Sequence, residues 1–234
     1  MQSLWPLSPP LVPVKDSKQG FPVRRIYCVG RNYVDHIREM REGDERDDPF
    51  FFQKPADAIE LDGAQIPYPQ STSDFQFEGE LVVAIGSRYR DGTPEQSLDC
   101  VFGYAAGVDL TRRDLQKDSV ARSRPWEPGK SFDRSAPCGA IVPRDHIGDM
   151  DEEGDLTVTV NGEVRQRTRF ALMIWSVPEI IAQLSKSYTL KPGDLIFTGT
   201  PAGVAAIHPA DTVTVEITGL PSLTITITES QEET

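Results

Sequence analysis

The chain has 234 residues and a formal net charge of −12, with 38% hydrophobic and 26% charged residues, a balance typical of a folded globular protein. This length favours one large domain whose core needs no disulfide staples. The negative charge argues against nucleic-acid and anionic-membrane partners, because both require clustered positive charge. No apolar run is long enough to cross a bilayer, the first residues lack the features of a signal peptide, and three scattered cysteines favour a reducing cytoplasm.

The first half of the chain predicts short strands separated by irregular segments. Residues 1–22 are rich in proline and predict an arm or an irregular strand pair before a catalytic domain over 23–230. Strand-like apolar runs lie at 24–30, 77–86 and 101–111. The remaining segments predict a helix over 32–43, a mobile loop over 42–49, a buried extended segment over 49–59 and a polar stretch over 112–130.

The last hundred residues predict a β-rich region with one helix. Residues 156–166 alternate between apolar and polar side chains and turn at Asn161-Gly162, the strongest short signal for a hairpin. Residues 211–220 and 222–230 alternate likewise, and Ser176 with Glu179 predicts a capping box at a helix start. The sequence therefore predicts a β-rich α+β fold, a mixed β-sheet roll or sandwich with few helices.

Two glutamates separated by a glycine form the first candidate for a functional site. Glu78 and Glu80 lie in a predicted strand, where the period of two residues places both carboxylates on one face. Gly79 keeps the opposite face small. Like charges this close need a neutralising partner, such as a hard divalent cation. A solvated strand edge is the alternative in so acidic a chain.

Asp109 strengthens the metal interpretation. It ends the apolar run VFGYAAGVD, and an ionised group at the mouth of a buried strand needs a partner. Three carboxylates would half-fill an octahedral shell and leave positions for water and a chelating substrate. All-oxygen ligation favours Mg²⁺ over zinc, with Mn²⁺ or Ca²⁺ as substitutes.

A histidine and a glutamate form a second candidate. His36 and Glu39 are spaced three residues apart in the predicted helix, so they share a face. A carboxylate in contact with an imidazole raises its basicity, an arrangement that activates water. An ordinary exposed helix pair is the alternative. His146 and His208 lie in loop-like contexts and are interpreted as structural or solvated.

Basic residues occur near these motifs despite the acidic composition. For any one of them, a solvated surface charge is the simpler interpretation. Together they could form a local pocket for an anionic ligand. The residues concerned are Arg24, Arg25, Arg31, Lys54, Arg112, Arg113 and Lys130.

Several segments, in this order, resemble the fumarylacetoacetate hydrolase family. They are GRNYVDHIREM, PFFFQKP, EGELVVAIG, GYAAGVDLTRRDLQ, GKSFD, the Asn-Gly hairpin with VRQ after it, and GDLIFTGTPAGV. The resemblance covers about residues 24–220, and three of its segments look most like the members that hydrolyse fumarylpyruvate in gentisate degradation. It implies the family's β-rich catalytic fold and a homodimer.

The resemblance also implies the roles of five acidic and imidazole side chains. Glu78, Glu80 and Asp109 would bind the metal ion. His36 and Glu39 would activate water, on a lid segment that orders over the substrate.

Five further residues match the family's substrate-contacting positions. Lys130 would neutralise developing negative charge, and four residues would hold the oxo-acid: Arg31, Arg113, Gln116 and Thr200. One departure is Phe77, since many relatives have a histidine just before the first metal-binding glutamate. A hydrogen bond that supports a metal ligand is then absent, which bears on metal affinity more than on ligand identity.

These assignments predict a metal-dependent enzyme that cleaves a carbon–carbon bond in a small diketo acid. The expected substrate is an acylpyruvate, above all fumarylpyruvate, which water splits into fumarate and pyruvate. Arg31 or Arg113 would bind its remote carboxylate. Two alternatives stay open. An oxaloacetate decarboxylase would use the same site without water, and a metal-dependent oxo-acid binder would use it without turnover, although the His36–Glu39 pair argues against the binder.

Overall fold

The computed structural model describes residues 4–34, 47–150 and 153–230. The strands in these residues are β1 (Leu11–Pro13), β2 (Gly20–Pro22), β3 (Arg25–Gly30), β4 (Phe50–Lys54), β5 (Ile59–Glu60), β6 (Gln65–Pro67), β7 (Phe75–Gln76), β8 (Gly79–Ile85), β9 (Val101–Val108), β10 (Thr111–Arg112), β11 (Ala136–Pro137), β12 (Val142–Pro143), β13 (Asp155–Val160), β14 (Glu163–Arg169), β15 (Asp194–Phe197), β16 (Thr212–Ile217) and β17 (Leu223–Thr228).

The helices are short by comparison. Within the same residues they are α1 (Pro94–Ser97), α2 (Arg113–Ala121), α3 (Glu127–Lys130), α4 (Arg144–Ile147) and α5 (Val177–Ser187). Single 3-10 turns lie at Ala56–Ala58, Leu98–Cys100 and Phe170–Leu172. In the part of the chain that the structure describes, no helix has the length and apolar character needed to cross a membrane.

Two mixed sheets form the body of the fold. The six-stranded sheet has the order β12-β9-β8-β15-β3-β4, in which β15 and β3 are parallel and the other neighbours antiparallel. The five-stranded sheet has the order β14-β13-β16-β17-β6, in which β17 and β6 are parallel and the other neighbours antiparallel. The pairs β1-β2, β7-β10 and β5-β11 are small separate sheets. The predicted β-rich α+β fold with mixed sheets is confirmed.

The two sheets pack face to face because apolar residues alternate along their strands. Leu81 and Val83 of β8 share one buried cluster with Val158 of β13 and Val215 of β16. Gly79, at the start of β8, is required by this packing, since a Cβ there would lie 2.2 Å from Val158 Cγ2. The close approach of the second sheet therefore fixes the backbone between the two candidate glutamates.

The hairpin of β1 and β2 covers the opposite face of the six-stranded sheet. Val12 and Phe21 of this hairpin share a second buried cluster with Val82, Ala84 and Phe197. The strand pair predicted within residues 1–22 is thus confirmed, and it contributes to the core. The boundary between an arm and a domain near residue 23 stays a prediction.

Local sequence signals are found where they were expected. Asn161 and Gly162 have positive φ values of 54° and 81° and connect β13 to β14, as a type I′ hairpin turn requires. Ser176 caps α5, and Glu179 Oε2 accepts hydrogen bonds from the Ser176 N–H and hydroxyl, each at 2.9 Å. The predicted hairpin and capping box are confirmed.

One predicted segment differs from the structure. Residues 49–59 were expected to be buried and extended, but most side chains of β4 are half-buried and a 3-10 turn follows at Ala56–Ala58. The polar stretch over 112–130 contains α2 and α3. The helix predicted over 32–43 and most of the loop over 42–49 fall in residues 35–46, which lie outside the described residues.

Candidate metal centre and active site

Three buried carboxylates meet at one end of the six-stranded sheet. Glu78 immediately precedes β8, Glu80 lies within it and Asp109 directly follows β9. The register pairs Glu80 with Gly107, and the Asp109 N–H donates to the Glu78 carbonyl at 2.8 Å, so the three side chains leave the same face. One carboxylate oxygen from each lies within 4.8 Å of the other two. The structure thus brings together the three residues predicted as metal ligands.

The electrostatics of this cluster fit a divalent cation. Burial raises the pKa of Glu80 well above its ordinary value, and Asp109 and Glu78 raise it further, whereas Lys130 and the Gly199 N–H lower it. A positive ion among the three carboxylates would relieve this repulsion. Oxygen donors of this kind suit a hard cation such as Mg²⁺ or Mn²⁺. The residues present therefore fit the expected divalent metal.

Two buried lysines neutralise part of the negative charge. Lys130 of α3 donates from Nζ to Glu78 Oε2 at 2.7 Å and to Asp109 Oδ2 at 2.6 Å. Lys54, at the end of β4, has its Nζ 2.8 Å from Asp109 Oδ1 and donates to the Lys130 carbonyl. Burial lowers the pKa of Lys130, but Asp109 and Glu78 outweigh this effect and the pKa is raised. Lys130 is therefore a fixed positive charge beside the carboxylates.

Arg113, the first residue of α2, is a third buried cation at the cluster. Its Nη2 donates to Glu78 Oε1, its Nη1 to Gln116 Oε1, and its Nε to Gln76 Oε1 at 2.8 Å. Because Gln116 accepts from Arg113 through its oxygen, the amide nitrogen is the group that it offers to a ligand in the cavity. Arg113 thus orients both a carboxylate and a hydrogen-bond donor.

The turn after β15 supplies a third side of the site. Gly199 has a φ of 96°, which favours glycine, and a Cβ there would lie 2.7 Å from Asn32 Cβ. Its N–H donates to Glu80 Oε2 at 2.8 Å. The hydroxyl of Thr200 donates to the Gly79 carbonyl at 2.9 Å. With its proton used in this way, the hydroxyl offers a ligand an acceptor only.

A cavity of about 260 Å³ opens onto the carboxylates. Buried Glu78 and Glu80 line its inner end, and the exposed residues Lys117 and Ala121 stand at its mouth. One face of α2 lines the length between them through residues spaced three or four apart, namely Arg113, Gln116, Lys117, Val120 and Ala121. The remaining wall is largely apolar and includes Val29, Phe52 and Trp126. A small ligand with an anionic end and an apolar body fits this shape.

The similarity of the chain to known proteins spans nearly its whole length. A family model, the C-terminal part of fumarylacetoacetate (FAA) hydrolase, matches residues 25–228. The chain belongs to the fumarylacetoacetate hydrolase family. A crystal structure of fumarylpyruvate hydrolase from Pseudomonas aeruginosa in complex with Mn²⁺ and pyruvate is 44% identical, with a TM-score of 0.95 over 98% of this chain and 100% of that one.

Two curated relatives carry different enzyme names. The mitochondrial oxaloacetate tautomerase of Homo sapiens is 41% identical over 204 residues, which are 87% of this chain and 91% of its own. The fumarylpyruvate hydrolase of Ralstonia sp is 39% identical over 178 residues, which are 76% of this chain and 92% of its own. Membership of this family confirms the predicted enzyme class and fold.

Four of the seven basic residues predicted to form an anion pocket are at the site, namely Arg31, Lys54, Arg113 and Lys130. The other three do not line the cavity. Arg24 and Arg25 are at the opposite end of β3 from the cavity, and Arg112 stacks on the ring of Phe132 at 4.2 Å.

Arg31 lines the cavity just beyond the end of β3. Its φ of 60° is in the left-handed region, uncommon for a residue with a side chain. Its guanidinium carbon is 5.5 Å from the ring centroid of Phe50. Arg31 is half-buried, whereas Arg113 is only 2% exposed. The two arginines therefore occupy different depths of the cavity.

The predictions for the three histidines, for Glu39 and for Phe77 have different outcomes. His36 and Glu39 fall in residues 35–46, outside the described residues, so the water-activating pair and its lid stay predictions. His146 and His208 are exposed. Phe77 is fully buried in the core between the sheets, away from the cavity.

Sequence reasoning missed three polar residues around the site, of which Asn32 and Gln166 are buried and Gln76 is half-buried. Gln76 supports Arg113, Asn32 donates to the Thr198 carbonyl at 2.8 Å, and Gln166 reaches the site from β14. A signal was available for Gln166, because it stands at a core-facing position of an alternating strand where an apolar residue is expected. No pattern in the sequence marks Gln76 or Asn32.

Proposed function

We propose that this protein hydrolyses the carbon–carbon bond of an acylpyruvate, with fumarylpyruvate as substrate and fumarate and pyruvate as products. The observation that carries the proposal is the polarity of the cavity, which has carboxylates and fixed cations at its inner end and an apolar wall further out. The similarity to the P. aeruginosa fumarylpyruvate hydrolase over 98% of this chain supports it. Such a reaction belongs in aromatic catabolism of the gentisate type.

The charges at the inner end favour an anionic substrate. When ionised, the three carboxylates are balanced by three buried cations, Lys54, Arg113 and Lys130. A divalent cation would leave these described residues with two excess positive charges. The oxo-acid carboxylate of fumarylpyruvate would offset one of them in a buried place where unbalanced charge is costly.

We assign Mg²⁺ as the resident ion, with Mn²⁺ or Ca²⁺ as substitutes, and Glu78, Glu80 and Asp109 as its ligands. When bound, the ion would act as a Lewis acid on the substrate oxygens. Gln116 would donate to the oxo-acid through its amide nitrogen. Thr200 would contact the oxo-acid in its enol form, accepting from the enol hydroxyl through its own hydroxyl oxygen, since the Thr200 hydroxyl proton is held by the Gly79 carbonyl.

Hydrolysis requires water to add to the acyl carbonyl carbon of the substrate. His36, supported by Glu39, would take the proton from this water as a general base. The bond between the hydrated acyl carbon and the neighbouring methylene carbon then breaks, and its electron pair passes into pyruvate enolate. Lys130 holds a positive charge where this negative charge develops. Protonation of the enolate carbon completes pyruvate.

The different depths of the two arginines support different roles for them. Arg113 donates to Glu78 and to two glutamine oxygens, so it belongs to the inner end and orients the metal-binding carboxylate. Arg31 is half-buried on the wall of the cavity. We therefore assign Arg31 to the remote carboxylate of the fumaryl group, where its planar fork would bind both oxygens.

An activity on oxaloacetate is the second candidate function. It is favoured by the 41% identity to the human oxaloacetate tautomerase. Oxaloacetate is a shorter oxo-acid that would use the inner end of the cavity without the apolar wall. Decarboxylation or keto–enol exchange of such a compound does not need an activated water.

A substrate panel tests the choice between these functions. With Mg²⁺ or Mn²⁺ present, we expect fumarylpyruvate to give the highest kcat/KM, followed by saturated acylpyruvates and then by oxaloacetate. The measurement is pyruvate release for the acylpyruvates, together with decarboxylation and enol–keto exchange for oxaloacetate, all on one preparation. A kcat/KM for oxaloacetate above that for every acylpyruvate would reject the hydrolase proposal.

The apolar wall of the cavity predicts that the protein selects substrates by their acyl chain. Val120 is half-buried on the cavity side of α2, so Val120→Trp would fill the space beside the acyl group. We expect kcat/KM for fumarylpyruvate to fall roughly tenfold or more, since pocket contacts of this size discriminate by such factors, and oxaloacetate turnover to change little. Asp118→Trp places the same ring on the solvent side of the helix and is the matched control. Equal losses for both substrates would contradict the assignment.

We also propose a homodimer in the cytoplasm. The family resemblance motivates the dimer, and the three cysteines, Cys28, Cys100 and Cys138, are buried as free thiols, which suits a reducing compartment. Sedimentation of the purified protein measures the oligomeric state directly.

A further inference from the structure

A buried glutamine connects the second sheet to the metal-binding segment. Gln166 lies in β14 of the five-stranded sheet and is 1% exposed. Its Oε1 accepts from the Gly79 N–H at 3.0 Å. Its Nε2 donates to Thr200 Oγ1 and to the Pro201 carbonyl, each at 2.8 Å. The side chain therefore joins β14, the start of β8 and the turn after β15.

The N–H and carbonyl groups of Gly79 need hydrogen-bond partners from side chains. The Glu78 carbonyl faces β9 and accepts from Asp109, and the Leu81 carbonyl faces the other side and accepts from Thr198. Successive backbone groups of a strand alternate in direction, so those of Gly79 point past the end of β15. Among the residues that the structure describes, no strand continues the ladder there. Buried backbone groups without partners are costly.

The side chains of Gln166 and Thr200 make the hydrogen bonds that the backbone of a neighbouring strand would otherwise make. Gln166 accepts from the Gly79 N–H, and Thr200 donates to the Gly79 carbonyl while accepting from Gln166. The two peptide groups on either side of Gly79 are thereby held at fixed positions. These are the peptide groups that join Glu78 to Gly79 and Gly79 to Glu80.

We propose that Gln166 is a positioning residue for the metal centre. Together with Thr200 it sets the relative placement of the Glu78 and Glu80 carboxylates, and hence the affinity for the divalent ion. The inference rests on the metal site of the proposed function. Gln166 touches neither the proposed ligand oxygens nor the reacting atoms, so its effect appears first in metal affinity.

The test measures Mn²⁺ binding by isothermal titration, independently of turnover. Gln166→Met keeps the length of the side chain and removes its hydrogen bonds to Gly79 and Thr200. We expect the dissociation constant for Mn²⁺ to rise 10- to 100-fold, the usual range when a partner of a metal ligand is lost. Thr168→Val is the matched control, because Thr168 is the next core-facing residue of β14 and its hydroxyl donates to the Arg169 carbonyl.

A second pair of variants separates positioning from loss of folding. Thr200→Val removes the hydroxyl that links Gln166 to the Gly79 carbonyl, and Thr200→Ser retains it. We expect the valine variant to weaken Mn²⁺ binding and the serine variant to restore it. The effects of Gln166→Met and Thr200→Val should be less than additive, because both break one connected set of hydrogen bonds.

The results that would overturn the positioning role differ from the result that would overturn the metal site. If Gln166→Met or Thr200→Val binds Mn²⁺ with the wild-type constant, the positioning role is overturned, whatever the melting temperature. An equal rise in Thr168→Val would also overturn it, since the effect would then be a general loss of stability. If the wild-type protein binds no divalent ion, the metal site fails and the inference fails with it.

Discussion

Glu80→Gln should abolish divalent-metal binding and turnover without destabilising the metal-free protein. Glu80 is buried among like charges, and burial together with Asp109 and Glu78 raises its pKa. Removing the charge removes a cost of folding, and glutamine keeps an oxygen that can accept from the Gly199 N–H. We expect a melting temperature in EDTA equal to or above that of the wild type, with no increase on adding Mg²⁺ or Mn²⁺.

Asp109→Ala should lose metal binding and turnover as well, but with the opposite effect on stability. Asp109 is the carboxylate that contacts both buried lysines, Lys54 and Lys130. Its removal leaves two buried ammonium groups with fewer partners, a change that typically costs about 3–5 kcal/mol. The metal-free variant should therefore melt well below the wild type. Wild-type activity that survives exhaustive chelation would contradict the metal assignment for both variants.

Short-range sequence signals predicted much of the fold. The Asn161-Gly162 turn and the capping box at Ser176 each depend on residues that are at most three positions apart. The alternation of β13, β16 and β17 reports that one face of each strand is buried. These features follow from local backbone chemistry and from the hydrophobic effect on single elements. They can therefore be predicted from the sequence without knowledge of the tertiary contacts.

The helix that lines the cavity could not be found in this way. The buried residues of α2 are Arg113, Gln116 and Ser119, so no apolar stripe marks its inner face. Arg113 and Gln116 are polar because they face a cavity and a carboxylate cluster rather than the core. The periodicity argument assumes an apolar interior, and it fails where a helix is buried against a polar site.

The carboxylate cluster was predictable, but the groups around it were not. Glu78 and Glu80 share a face by the strand period alone, and Asp109 was marked by its place at the end of an apolar run. The partners of the site come from distant parts of the chain, such as Lys54 beside Asp109 and Gln166 beside Gly79. Their positions depend on strand order and register, which no local pattern specifies.

His36→Ala should remove most acylpyruvate hydrolysis, by about a hundredfold or more, which is typical for the loss of a general base. The reason is that water must be deprotonated as it adds to the acyl carbon. Metal binding should persist because His36 is not a proposed ligand, and the dissociation constant for Mn²⁺ checks this. His146→Ala, at an exposed histidine outside the cavity, is the matched control and should keep full activity.

The same variant separates hydrolysis from decarboxylation within one site. Loss of carbon dioxide from oxaloacetate needs the oxo-acid to be bound and the developing enolate to be stabilised, and both requirements leave His36 unused. Oxaloacetate decarboxylation by His36→Ala should therefore fall much less than hydrolysis, measured on one preparation at saturating Mg²⁺ with metal content checked. Equal loss of the two activities would mean that His36 acts in another way, for example by closing the lid. Undiminished hydrolysis would remove His36 from the mechanism, and the base would then have to be sought among the other groups that line the cavity.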